Sequence, residues 1–187
     1  RTDSSGGGLS NFDGEVSIIN STFHQNKTPW EGSAISNAGG GELTILASTV
    51  ANNDSPNDGA ALYVSDGTVT IKNSIVTDTT AGTTGIGDNC LENGGTITVQ
   101  GDNLSSDATC TGFTGSTSSD LKPISAADCI AAAVPGTVCT PVLTPNSTSP
   151  AIAAATDCTD WMGAAIEWDQ QGGARAIGTC DLGADEH

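Results

Sequence analysis

One pattern is written four times between Ser5 and Cys110, and it limits the folds open to this chain more than any other feature. The copies occupy residues 5–28, 29–55, 56–82 and 83–110. Aligned on Val16, Leu43, Val69 and Ile97, they are offset by 27, 26 and 28 residues. Two positions on stand Ile18, Ile45, Ile71 and Val99; seven on stand Phe23, Val50, Val76 and Leu104. Between the first two sets lie Ser17, Thr44, Thr70 and Thr98, all small hydroxyls. An apolar residue at every second position puts one face inward and the other outward, which is strand periodicity. Gly, Asn and Asp bound these runs and supply turns. A unit of this length cannot bury its own apolar face, but stacked units can. The expectation is therefore an all-β chain: a right-handed parallel β-helix (solenoid), one copy per rung, rungs about 4.8 Å apart. An antiparallel sandwich is the competing reading, and it does not account for three core positions recurring in phase.

Composition agrees with a repeat body. Hydrophobic residues make up 36% of the 187, aromatics only 4%, and Gly numbers 24. Stacked strands can fill an interior with Val, Ile and Leu where a bundle or sandwich would use bulkier side chains. No apolar run approaches the ~20 residues of a membrane-spanning helix, so membrane insertion is not expected. The chain opens on Arg1, which reads as a processed product. With 22 acids against five Lys and Arg, the net charge is −17. Phosphate binding needs clustered cations, so nucleic acid is excluded as a partner, and anionic surfaces are disfavoured.

Cys90, Cys110, Cys129, Cys139, Cys158 and Cys180 all follow the third copy. No Cys-x-x-Cys pair occurs, and only His24 and His187 could complete a zinc set, so disulfides in an oxidising compartment are the better reading. Nearest-neighbour pairing is expected: Cys90 with Cys110, Cys129 with Cys139, Cys158 with Cys180. Each bond should contribute roughly 2–4 kcal/mol. Sequons stand at Asn20, Asn26, Asn53, Asn103 and Asn146 in Asn-rich turns, where they also arise by chance. After Cys110 the repeat stops. Residues 125–134 have a helical look, bounded by Ser125 and Pro135. The division is 1–110 as solenoid rungs and 111–187 as a disulfide-stapled C-terminal cap packed on the end of the helix.

The repeats resemble those of bacterial secreted and surface β-helix proteins. Further along stand Asp88-Asn89-Cys90, Asn103 to Asp107 with Cys110, Ser149 to Ile152, Asp169-Gln170-Gln171-Gly172 and Cys180 to Glu186. In that order they resemble the C-terminal region of choice-of-anchor Q domain proteins. Gln171 stands where that family usually has Arg, and Ala176 where it usually has Pro. The resemblance implies a bacterial, secreted or cell-surface β-helix, often followed by a surface anchor. No anchor follows His187, so attachment through this end is not expected.

An enzymatic reading needs a chemical set. A lyase resembling pectate lyases needs calcium ligands and a basic proton acceptor. Within the rungs the only candidates are Lys27 and Lys72, two rungs apart. A hydrolase needs carboxylates some 5–9.5 Å apart on one face. Asp13, Glu15, Glu42, Asp54, Asp58 and Asp66 lie mostly in turns, and only Asp58 and Asp66 share a rung. No catalytic, cofactor-binding or metal residue is assigned. Calcium is the one cofactor entertained, through Asp54, Asp58, Asp78 and Asp88, with solvation the plainer role. Tyr63, Trp161 and Trp168 could stack on sugars of a surface polysaccharide, or the two Trp could pack the cap. His24 follows the inward Phe23 and should point outward. Asp169, Arg175, Asp181 and Asp185 should tie the cap together. The functional expectation is a non-enzymatic extracellular structural or adhesive protein; the alternative is a carbohydrate-binding or polysaccharide-degrading one. The first rung, with Leu9, Val16, Ile18 and Phe23, is an edge with no visible cap: either an identical subunit meets it head-to-tail and builds a filament, or further rungs precede it in a longer parent protein.

Overall fold

The structure is a computed structural model and describes residues 5–55, 61–77, 80–81, 88–115, 121, 142–176 and 178–185. The first turn carries β1 (Leu9–Phe12), β2 (Glu15–Ile19) and β3 (Thr22–His24). The second carries β4 (Ile35–Ala38), β5 (Glu42–Leu46), β6 (Thr49–Ala51) and the short β7 (Asp54–Ser55). The third carries β8 (Leu62–Val64), β9 (Thr68–Lys72), β10 (Ile75–Thr77) and β11 (Thr80–Ala81). The fourth carries β12 (Cys90–Glu92), β13 (Thr96–Gln100) and β14 (Leu104–Ser105), after which comes β15 (Thr114–Gly115).

These strands stack into three walls. The first wall is β1-β4-β8-β12, the second β2-β5-β9-β13, and the third β3-β6-β10-β14-β15. Every named strand pair is parallel. The chain is thus a parallel β-solenoid, and the described residues contain no helix. The antiparallel sandwich is excluded. Residues 125–134, where a helix was expected, lie outside the described residues.

Registers follow the repeat. Val16, Leu43, Val69 and Ile97 form one column, and Ile18, Ile45, Ile71 and Val99 the next. In the two middle turns Leu43, Ile45, Val69 and Ile71 are sealed from solvent. Outside, Ser17, Thr44, Thr70 and Thr98 make the expected hydroxyl ladder. The corner between second and third walls is the same in each turn: Asn20, Ala47, Asn73 and Gly101 all take a left-handed φ, between 47° and 57°. Asn and Gly enter that region at low cost; Ala47 does so against its Cβ. Just past the corner the Ser21 and Ser48 N–H groups donate to the hydroxyls of Ser48 and Ser74, and the Ser74 N–H donates to Asn103 Oδ1. This satisfies backbone donors that the turn removes from the ladder.

One column departs from expectation. Phe23, Val50 and Val76 stack inward, but Leu104 pairs with Ile75, and Ser105 follows Val76. The fourth corner has three residues between Gln100 and Leu104 (Gly101, Asp102, Asn103), where the third has two, Asn73 and Ser74, between Lys72 and Ile75. With a side-chain period of two, that extra residue turns Leu104 to the outer face. Ser105 takes the inner place and accepts a hydrogen bond from Asn89 Nδ2 at 3.0 Å.

The Cys90–Cys110 disulfide is present, with Cα atoms 5.0 Å apart, and so is Cys158–Cys180, at 5.9 Å. Cys129 and Cys139 lie outside the described residues. The expected cap divides in two. Residues 106–115 close the far end, where Cys110 is buried and Phe113 packs against the core. Residues 142–176 and 178–185 do not sit on that end. They form a strap along the outer side of the third wall, with antiparallel bridges at Ala155–Cys180, Thr159–Ala165 and Trp168–Ala174. The reason is a second apolar layer: Ala51, Ile75 and Leu104, facing outward, cluster with Leu143, Ala151, Ala155, Cys180 and Leu182.

Candidate interaction surface

Among the described residues β1, β2 and β3 are the edge strands of the three walls, all at the first turn. The four residues expected at this edge are brought together by the walls. Ile18 is 7% exposed and Leu9, Val16 and Phe23 are half-buried, while Ile35, Ile45 and Val50, their counterparts one turn on, are sealed. Sequence reasoning missed the larger part of this surface. Phe12 is 78% exposed and lies over Gly39, Ile19 is 46% exposed on the outer side of β2, and Trp30 is 44% exposed in the link to the second turn. Ile19 carried a signal: it is an apolar residue at the outward parity of a strand.

The strap brings a further aromatic to this end. Asn20 Nδ2 donates to the Trp168 carbonyl at 2.6 Å, and Thr22 Oγ1 donates to Gln170 Oε1 at 2.6 Å. Arg175 is buried and donates through Nη2 to Asn20 Oδ1 at 3.1 Å and to the Gly183 carbonyl at 2.7 Å, and through Nη1 to the Asp181 carbonyl at 3.1 Å. Further along, the Ala184 N–H donates to Thr49 Oγ1. Lys72 Nζ reaches Asp157 and the Thr159 carbonyl at 2.9 and 2.8 Å. Asn73 Nδ2 donates to the Asp157 carbonyl, and Asp102 accepts from Thr156. The corner residues Asn20 and Asn73 therefore serve twice, as left-handed turn formers and as pegs for the strap. Because the strap covers this wall, Ala51 and Thr77 are fully buried beside a half-buried His24, whose imidazole pKa burial lowers. The outward direction expected of His24 holds.

The strap's acids are structural. Asp169 Oδ1 accepts the N–H groups of Gln171 and Gly173, and Asp181 Oδ1 accepts that of Ala153. Asp185 accepts from the Thr144 hydroxyl. Burial pushes its carboxyl up to about 6, against the lowering bond from Thr144, and neighbouring Asp169 adds to the rise while Arg175 opposes it. Asp157 is held down to about 2, chiefly by the Thr159 hydroxyl and then by Lys72. At the far end Asp107 accepts from Thr109 and from the Asn89 N–H, fixing the loop that carries Cys110.

The remaining candidates are dispersed. Tyr63 stands on the outer side of the first wall, its hydroxyl accepting from Asn93 Nδ2. Trp161 is half-buried in the strap with its indole N–H buried and without a partner. Trp168 is 57% exposed and lines a cleft of about 560 Å³ with Cys158, Thr159, Ala165, Ile166 and Ala174. Of the calcium candidates, Asp54 is ion-paired with Lys27 at 2.6 Å. The Asp88 carbonyl accepts from the Ala61 N–H, and Asp58 and Asp78 lie outside the described residues. Among the described residues no three His, Cys, Asp or Glu side chains are grouped to hold a metal. No described helix is long and apolar enough to cross a membrane.

Comparison with known proteins returned no matching family model, no matching curated protein and no matching solved structure.

Proposed function

We propose that this chain is a non-enzymatic structural or adhesive β-solenoid that works outside the cytoplasm and makes its contacts through the first-turn end. One observation carries the reading. Phe12, Ile19 and Trp30 stand exposed on or just after the first-turn strands, and among the described residues β1, β2 and β3 are the edge strands of their sheets. An apolar patch on an unpaired edge is a surface for another chain. The two disulfides support an oxidising setting. The resemblance of the repeats and of the motifs around Cys90, Asp169 and Cys180 to choice-of-anchor Q proteins supports a bacterial surface or matrix location.

Sedimentation of the 187-residue chain across a concentration series tests the reading. Association is expected, and Phe12→Asp, at a position already 78% exposed, should weaken it at least tenfold without unfolding the chain. A wild-type chain that stays monomeric throughout would remove the first-turn end as a contact surface. A second reading, carbohydrate binding, rests on the exposed Trp168 ring beside the cleft. A shift of its fluorescence on titration with neutral oligosaccharides would favour it.

A further inference from the structure

We infer that Thr22 and Gln170 form a covalent clasp between the solenoid body and the strap. The bond is an ester between the threonine hydroxyl and the side-chain carbonyl carbon of the glutamine, made with loss of ammonia. It is independent of the first-turn contact surface.

One contact carries it. Thr22 Oγ1 donates to Gln170 Oε1 at 2.6 Å, across 148 residues of sequence. The carbonyl carbon lies one bond beyond that oxygen, so a shift on the order of 1 Å brings the hydroxyl into a near-attack position. Both side chains are half-buried, which shields the product from water. The two segments are already fixed against each other. Asn20 Nδ2 donates to the Trp168 carbonyl at 2.6 Å, Arg175 Nη2 to Asn20 Oδ1 at 3.1 Å, and the Gln170 N–H to the Ala184 carbonyl at 2.8 Å. A hydroxyl and a carboxamide held in this way react as one molecule rather than two, and the entropy of bringing them together is already spent. By contrast, the Thr156 hydroxyl of the strap meets the Asp102 carboxylate, whose charge makes it a poor electrophile.

A threonine hydroxyl is a weak nucleophile and needs a base beside it. Because β3 alternates, Thr22 and His24 share its outer face, on either side of the inward Phe23 and roughly 7 Å apart along the strand. His24 is half-buried, and burial lowers its imidazole pKa, so the ring is neutral at pH 7 and can accept the hydroxyl proton. The bond from Thr22 Oγ1 to Gln170 Cδ forms, and the Cδ–Nε2 bond breaks. The hydroxyl proton passes through His24 to the amide nitrogen, which leaves as ammonia. Nothing is oxidised or reduced.

The intact mass of the reduced 187-residue chain reads the bond directly. It is expected to fall short of the sequence mass by one ammonia, and digestion should yield a peptide pair joined through Thr22 and Gln170. Thr22→Val and Gln170→Met should each show their full sequence mass, while Thr22→Ser, which keeps the hydroxyl, should retain the loss. His24→Ala should lower the joined fraction at least tenfold; an undiminished fraction would overturn the role given to His24. Full sequence mass in a wild-type chain that circular dichroism shows to be folded would overturn the clasp. So would an ammonia loss that persists in Thr22→Val, since another amide is then its source.

Discussion

The solenoid body and the strap bury similar kinds of residue by different means. In the body, each turn repeats the last: Ile45 lies over Ile18 and under Ile71, and the backbone ladder between turns enforces the register. The strap has no ladder. It is held by single side-chain bonds to pegs in different turns (Asn20, Thr49, Lys72, Asn73 and Asp102), by the Cys158–Cys180 bond, and by Leu143 and Leu182 over Ile75 and Leu104. Regular stacking resists local loss because every position has neighbours on both sides. A strap pinned at separate points should loosen as a unit while the body remains.

The strongest way to break this contrast is inside the body. Ile45→Ala empties the middle of a sealed column and should cost about 4 kcal/mol, with near-complete transfer to global unfolding in denaturant titration. If the loss were instead confined to one wall by hydrogen exchange, the cooperative body would be the wrong picture. Next comes the strap. Cys158→Ser with Cys180→Ser should cost about 3 kcal/mol and expose Ala51, Ile75 and Thr77 amides to exchange, leaving the second-wall amides protected. Equal loss of protection in both walls would show strap and body to be one cooperative unit.

The smallest effect is on pH. The folded-state pKa of Asp185, about 6, lies above its ordinary value near 3.8, so the folded chain favours the proton. This contribution to stability is complete below pH about 4 and is lost as pH rises through about 6. Asp157 runs the other way: held down to about 2, its contribution is present above about 4 and is lost as pH falls through 2. Between pH 5 and 7 Asp185 therefore dominates, and strap protection should fall as pH rises. Asp185→Asn should flatten that slope and raise the midpoint at pH 7 by a few degrees. An unchanged slope would place the titration elsewhere.

Much of the body was legible because its information is repeated. Val16, Leu43, Val69 and Ile97 declare their column four times, and a misreading of one copy is corrected by the others. Leu104 shows where this stops: one added residue at the Gly101–Asn103 corner reverses its side, and a count from Ile97 cannot see it. The strap's residues were legible one by one, since Asp169, Arg175, Asp181 and Asp185 do tie it together, but their position was not. Ala51 and Ile75, apolar at outward parity in the third wall, were the signal that this wall is covered, as Ile19 was for the exposed first-turn edge.

By itself, the sequence determined the parallel stacking, two of the inward columns and the hydroxyl ladder. These depend on neighbours two residues away or one turn away, and a period-two pattern repeated at a near-constant interval encodes both. Only the tertiary structure decided that the strap runs along the third wall, that Phe113 packs against the core at the far end, and that the strap reaches back to the first turn at Asn20. Those arrangements rest on unrepeated contacts between residues as far apart as Asn20 and Arg175. A single polar pair at that separation carries no periodic mark in the chain; it exists only once the corners and the outer apolar layer have been built.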